Sequence, residues 1–104
     1  MFVTITTADT GGEPIENAAI VAEELERWLR EVEGFQGFVM LAGAEQALGL
    51  SFWTSRELAE RHNTTRTEFR ERMLSVAGVP IRSVVDYEVA FARFRPDFVA
   101  SVSA

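Results

Sequence analysis

The stretch Phe35–Ala44, FQGFVMLAGA, limits what this chain can fold into more than any other. It reads as a β-strand, yet apolar and polar residues do not alternate along it. In a straight strand Phe35, Gly37, Val39 and Leu41 share one face, and Phe38, Met40, Ala42 and Ala44 share the other. Both faces are then apolar. Burying a large apolar side chain is worth about 2 kcal/mol, so a strand like this needs cover on both sides.

Strand and helix patterns alternate around it. Phe2–Thr7 is rich in β-branched residues and reads as a first strand. The polar loop Thr10–Pro14 follows, with Pro14 suited to the first turn of a helix. Glu13 and Glu16 stand near the positive end of that helix dipole. Ala18, Ala22, Leu25, Leu29 and Val32 recur at three- and four-residue steps, the apolar stripe of an amphipathic helix. Arg27 and Arg30 lie near its end, and Gly34 is its terminator. Phe35–Ala44 and Leu48–Thr54 form a hairpin around Glu45–Ala47.

Thr54 and Glu57 are spaced as a capping box for a second helix. Its stripe runs Leu58, His62, Phe69, Met73, Val76. Asn63, Thr64 and Thr65 are poor helix formers, and Thr65 with Glu68 repeats the capping spacing. Two helical pieces with a break near Asn63 are expected. Gly78 and Pro80 end the second piece, and Ile81–Arg93 reads as a long final strand.

The order strand, helix, strand, strand, helix, strand predicts a ferredoxin-like α+β fold. Four antiparallel strands carry both helices on one face. Residues 1–93 make the domain and 94–104 a tail. Strand three puts Leu48, Leu50 and Phe52 opposite Gly49, Ser51 and Trp53, and the helices cover one sheet face only, which would leave a second, Phe-, Met- and Trp-bearing face in water. It is expected to close on a second copy, giving a homodimeric α/β barrel. The other possibility is that this face is partly exposed or covered by the tail.

Composition narrows the function classes. A chain of 104 residues fits one domain. A net charge of −6 argues against nucleic acid as a partner. There is no Cys, so no thiolate nucleophile or thiolate metal site. All ten basic residues are Arg, which excludes a Schiff-base lysine. One His cannot make a His-rich metal site within one protomer. No apolar run approaches the ~20 residues of a membrane span. The N-terminal stretch lacks the basic n-region of a signal peptide, so a cytoplasmic location is expected. With no phosphate loop, nucleotide fingerprint or metal-ligand spacing, no cofactor is expected.

Several short motifs resemble those of antibiotic-biosynthesis monooxygenase-type domains. Arg27-Trp28-Leu29-Arg30-Glu31-Val32-Glu33-Gly34-Phe35 is similar to their first helix-to-strand junction, and Gly34-Phe35-Gln36-Gly37-Phe38 to the start of their second strand. Phe52-Trp53-Thr54-Ser55 resembles the end of their third strand, and His62 follows Trp53 at a spacing seen in many members. The resemblance covers roughly residues 2–92. It implies a dimeric α/β barrel and, among several activities found on this fold, cofactor-free oxygenation of anthrones in aromatic polyketide pathways. Those oxygenases carry the strand-three Trp, matched by Trp53. They also carry a helix-two Arg, for which Arg70 in Glu68-Phe69-Arg70-Glu71 is the match. Their accompanying Asn and Tyr are replaced by Gly49 and Ala59. The haem-degrading members' Asn, Trp and His are replaced by Thr7, His62 and Glu71, so haem chemistry is not implied.

The chemistry asks little of the protein. A deprotonated phenol or anthrone can itself reduce dioxygen, given an apolar pocket, a donor for the enolate oxygen and a proton relay. Trp53, His62 and Arg70 are the catalytic candidates: an indole donor, a base of the one residue type whose unperturbed pKa lies near neutrality, and a cation for the oxyanion. Phe38, Phe52, Phe69, Tyr87 and Thr7 are the candidate substrate contacts. Each also suits a structural role. Trp53 fits core or dimer packing, His62 a hydrogen-bonded place on the apolar stripe, and Arg70 a solvated face with Arg66, Arg72, Glu68 and Glu71. The expectation is a cofactor-independent monooxygenase, an oxidoreductase acting on a small hydrophobic, aromatic or polyketide-type substrate. Its alternative is a non-catalytic barrel that binds a small hydrophobic ligand.

Overall fold

The computed structural model describes residues 1–12 and 18–98. The expected order is present: β1 (Phe2–Asp9), α1 (Ala18–Leu29), β2 (Phe35–Ala42), β3 (Gln46–Trp53), α2 (Arg56–Arg61), α3 (Asn63–Ala77) and β4 (Ile81–Glu88). The strands form one antiparallel sheet in the order β2-β3-β1-β4, the ferredoxin-like arrangement. The helix-start signals at Glu13, Pro14 and Glu16 lie outside the described residues, as do tail residues 99–104 and the side chains of Ala18, Met73 and Val76.

One extra residue in β2 sets the two faces. Phe35 pairs with Trp53 and Gly37 with Phe52, which leaves Gln36 as a bulge. The bulge corrects the straight-strand expectation. Phe35 joins Phe38 and Met40 toward the helices, while Gly37, Val39 and Leu41 face the other way. The Gln36 amide Nε2 donates to Thr54 Oγ1 at 2.7 Å.

The pairing then fixes each row across the sheet. Phe35, Trp53, Phe2 and Glu88 form the first helix-facing row, and Phe38, Ser51, Thr4 and Asp86 the second. Met40, Gly49, Thr6 and Val84 follow, then Ala42, Ala47, Ala8 and Ile81. On the outer face the rows are Gly37, Phe52, Val3 and Tyr87; Val39, Leu50, Ile5 and Val85; and Leu41, Leu48, Thr7 and Ser83.

The core lies at the aromatic end of the helix-facing side. Leu25 and Leu29 of α1 pack with Phe2, Trp53, Ala59 and Phe69, joined by Trp28, Phe35 and Phe38. Phe35 meets Trp53 edge-on at 5.7 Å, Phe38 meets Phe69 edge-on at 5.6 Å, and Trp28 stacks on Phe69 at 6.0 Å. These are the offset and edge geometries that aromatic quadrupoles favour.

The ends of several elements differ from the sequence expectation, each for a local reason. β2 stops at Ala42 because the chain turns at Gly43, whose N–H donates to the Gln46 carbonyl at 2.8 Å. β4 stops at Glu88 rather than Arg93. Its last pair with β1 is Glu88 with Phe2, and one further backbone bond runs from the Val89 N–H to the Met1 carbonyl. The α2 cap is Ser55, not Thr54: Ser55 Oγ accepts the Leu58 N–H at 3.2 Å. Thr54 instead donates its N–H and hydroxyl to the Gly34 carbonyl. The expected helix break falls at His62, directly before Asn63, while Thr65 lies inside α3 and caps nothing.

The outer face is large, apolar and unevenly covered. Leu41 is 48% exposed, Val85 42% and Tyr87 52%. Phe94 and Phe98 of the tail stack at 4.7 Å. With Gly37, Val39, Phe52 and Val89 they line an apolar cavity of about 310 Å3. No helix among the described residues is long and apolar enough to cross a membrane.

Gly34 locks the first helix-to-strand junction against α2. Its φ is +88°, and a Cβ there would stand 2.9 Å from the Leu58 Cβ. Gly34→Ala combines backbone strain with that clash and is expected to destabilise the domain by about 1–3 kcal/mol. Urea unfolding measures this; an unchanged midpoint contradicts the packing described.

Candidate functional site between the sheet and the helices

Beyond the aromatic row, the helix-facing centre of the sheet is unusual in what it lacks. Thr4, Thr6 and Ala8 on β1 and Ala47, Gly49 and Ser51 on β3 are all buried, and all are small. The bulky residues of these strands, Ile5, Leu48, Leu50 and Phe52, point to the outer face. A sheet centre packed only by its own helices normally carries Val, Ile and Leu on the helix side. Here that surface is shallow and set with hydroxyls.

Arg66, on α3, reaches this surface and is only 5% exposed. Its Nη1 donates to the Ala59 carbonyl at 3.1 Å. Its Nη2 donates to Thr4 Oγ1 and, at 3.1 Å, to Asp86 Oδ1. Thr4 passes the chain on, its hydroxyl donating to the same Asp86 oxygen at 2.8 Å. The guanidinium carbon also lies 5.7 Å from the Phe2 ring and 5.8 Å from the Trp53 ring. Burial pulls Arg66 below the ordinary arginine value, and the Asp86 carboxylate opposes that shift.

The charge is incompletely answered. Its carboxylate partner has a side chain 42% exposed. The Arg66 Nε–H is buried and has no hydrogen-bond partner among the described residues. A buried unpaired donor costs about 1–3 kcal/mol, and removing a guanidinium from water costs several kcal/mol more.

The residues singled out from sequence divide between places. Trp53 is fully buried, and its indole Nε1 donates to Ser51 Oγ at 3.1 Å. Phe38 and Phe69 join it in the core cluster. His62 caps α2 at the α2–α3 joint. Its Nε2 is buried and stands 3.7 Å from a Glu33 carboxylate oxygen, beyond hydrogen-bond reach. Arg70 is part-buried, and its Nη2 donates to Thr67 Oγ1 at 3.2 Å. No hydrogen bond or ring contact among the described residues joins His62 or Arg70 to Trp53. Phe52, Tyr87 and Thr7 stand on the outer face, across the sheet from Trp53.

Sequence reasoning placed Arg66 on a solvated, salt-bridged face. The signal that would have corrected this is spacing. Arg66 lies three residues before Phe69 and seven after Ala59, both buried, so it shares their side of the helical segment. No group of acidic and His residues that could hold a metal ion occurs among the described residues.

Comparison with known proteins now bears on this geometry. No family model and no curated protein sequence matches the chain. Solved structures do. An antibiotic biosynthesis monooxygenase, so assigned, from Deinococcus radiodurans superposes with a TM-score of 0.63 at 15% identity, over 91% of this chain and 98% of that one. A monooxygenase from the ActVA-Orf6 gene of Streptomyces coelicolor, solved with the ligand nanaomycin D, gives 0.62 at 19% identity, over 90% and 91%. SnoaB, a cofactor-independent oxygenase from Streptomyces nogalater, gives 0.62 at 12% identity, over 88% and 95%.

If Thr4 joins Arg66 and Asp86 as described, the near-isosteric Thr4→Val should cost about 1–3 kcal/mol by removing its hydrogen bonds to two charged partners, which still hold each other. Thermal or urea unfolding reads the loss, and a change within error contradicts the network. In fold, this chain is similar to antibiotic biosynthesis monooxygenases of known structure, as the motifs around Gly34 and Trp53 implied.

Proposed function

We propose that this protein is a cofactor-independent monooxygenase acting on a small aromatic or polyketide-type substrate bound between the sheet and the helices. The observation that carries the proposal is the helix-facing sheet centre. It is small and hydroxyl-lined at Thr4, Thr6, Ala47, Gly49 and Ser51, and it adjoins the aromatic wall of Phe38, Trp53 and Phe69. Side chains this small keep the inner face shallow, and their hydroxyls are the polar anchors an aromatic substrate would use. The fold shared with oxygenases of Streptomyces supports the same reading.

In this chemistry the substrate supplies the electrons. A deprotonated anthrone or hydroquinone transfers them to dioxygen. For an anthrone, the CH2 carbon gains one oxygen atom as a carbonyl and the other atom leaves as water. The protein orients the ring, stabilises the enolate and removes a proton. Trp53 is the proposed hydrogen-bond donor, with its N–H now resting on Ser51. His62 is the proposed base and Arg70 a proposed cation at the rim. Glu33 lies close enough to His62 to steady an imidazolium.

A second reading is a non-catalytic barrel that binds a hydrophobic ligand. It is favoured by Ala59, a fully buried core residue at the place where the resemblance puts a polar Tyr.

The outer face gives a proposal of its own. Its Val, Leu, Ile and Phe rows, with Leu41, Val85 and Tyr87 open to water, suit sheet-on-sheet pairing of two copies. Light scattering at micromolar concentration should give the mass of a homodimer. A strictly monomeric mass removes the barrel.

Oxygen-electrode measurements with a panel of anthrones and hydroquinones, without added flavin or metal, test the reaction. Uptake above the buffer rate is expected, and Trp53→Phe should lower it about tenfold or more through loss of one donor. No uptake with any member leaves the ligand-binding reading in its place.

A further inference from the structure

Sixteen acidic residues outnumber the ten arginines of this chain, so an arginine has no shortage of carboxylates to pair with. Arg30, Arg56, Arg61 and Arg66 each hold at least one. Arg27 and Arg72 hold none among the described residues, and no side-chain hydrogen bond engages either. Both line one open cleft of about 250 Å3 between α1 and α3, together with Glu24 and Trp28. No strand residue lines it, which separates it from the inner sheet surface.

The floor of this cleft is fixed. Trp28 is half-buried and stacks on Phe69 of the core at 6.0 Å, with the ring planes 15° apart. A ring held in this way loses little freedom when a ligand settles on it. The Arg72 guanidinium carbon stands 5.5 Å from the Trp28 ring centre, within cation–π range. A guanidinium in such a contact keeps its in-plane N–H donors available for a carboxylate.

We propose that this cleft is a binding site for a small aromatic carboxylate, with Trp28 against the ring and Arg27 and Arg72 on the carboxylate. Two like charges facing one cleft repel each other, and a single anion between them answers both. A carboxylate conjugated to its ring is coplanar with it, so a ring lying along Trp28 directs both oxygens toward the planar guanidinium forks. The volume, below the roughly 300 Å3 at which drug-sized pockets begin, limits the ligand to one or two rings. Glu24 opposes any anion here and tempers the affinity. The site is independent of any reaction at the inner sheet face.

The test titrates 2-naphthoate into the purified full chain and follows the indole N–H signals of Trp28 and Trp53 by heteronuclear NMR, with Trp28→Phe to assign them. The Trp28 signal should shift saturably. The affinity should exceed that for the neutral 2-naphthamide by about tenfold or more, the contribution of charge-assisted hydrogen bonds. Arg27→Gln and Arg72→Gln should each weaken naphthoate binding by about tenfold, and Glu24→Gln should strengthen it by about threefold. Arg82→Gln removes another exposed arginine without an ion pair and should change nothing. All four substituted side chains are exposed, so the variants are expected to fold.

An absent or unsaturable Trp28 shift overturns the proposal, as does equal affinity for the amide. So does binding that Arg27→Gln and Arg72→Gln leave unchanged, that Arg82→Gln weakens as much, or that Glu24→Gln fails to strengthen. A shift of the Trp53 signal alone places the acid on the inner sheet face and overturns it as well.

Discussion

Gln36 is one residue more than the β2–β3 ladder needs, and the arrangement of both sheet faces depends on it. The bulge turns Phe35 toward the helices, where it meets Trp53 edge-on. Phe38 and Met40 then follow on the same side. That row of large side chains lets α1 and α3 pack through Leu25, Leu29 and Phe69. With bulk concentrated on β2 and at the aromatic end, the central strands can carry Thr, Ser, Ala and Gly inward. Their own bulky residues are sent to the opposite face.

That exchange of faces explains two properties at once. Inward, the small and hydroxyl side chains of β1 and β3 make the surface on which the proposed ligand would lie. Outward, Leu41, Leu48, Leu50, Ile5 and Val85 make an apolar sheet face, which among the described residues Phe94 and Phe98 of the tail partly cover. Arg66 belongs to the inward side. Its charge is tolerated because Thr4 and Asp86 bond it across two strands.

Much of this fold was legible in the sequence, because periodicity and turn residues act locally. The element order, the break before Asn63 and the apolar character of both faces of strand two all follow from patterns a few residues long. What escaped depends on pairing between distant residues. A bulge is invisible until β2 is laid against β3, so the side to which Phe35 turns could not be read from alternation alone. The end of β4 depends in the same way on where β1 begins. Arg66 escaped for a different reason: a charged residue on a helix reads as solvated until its counter-charge, twenty residues away on β4, is brought beside it. Phe52, Tyr87 and Thr7 looked like substrate contacts by residue type, and only the register shows that they face away from Trp53.

The two sheet faces are proposed to do different work, the inner one holding ligand and the outer one another sheet. A crystal structure of the protein soaked with an anthraquinone decides it most directly. The account predicts ligand density against Thr4, Thr6 and Ser51, with the ring beside Trp53. Density confined to the outer-face cavity lined by Phe52, Phe94 and Phe98 would contradict it.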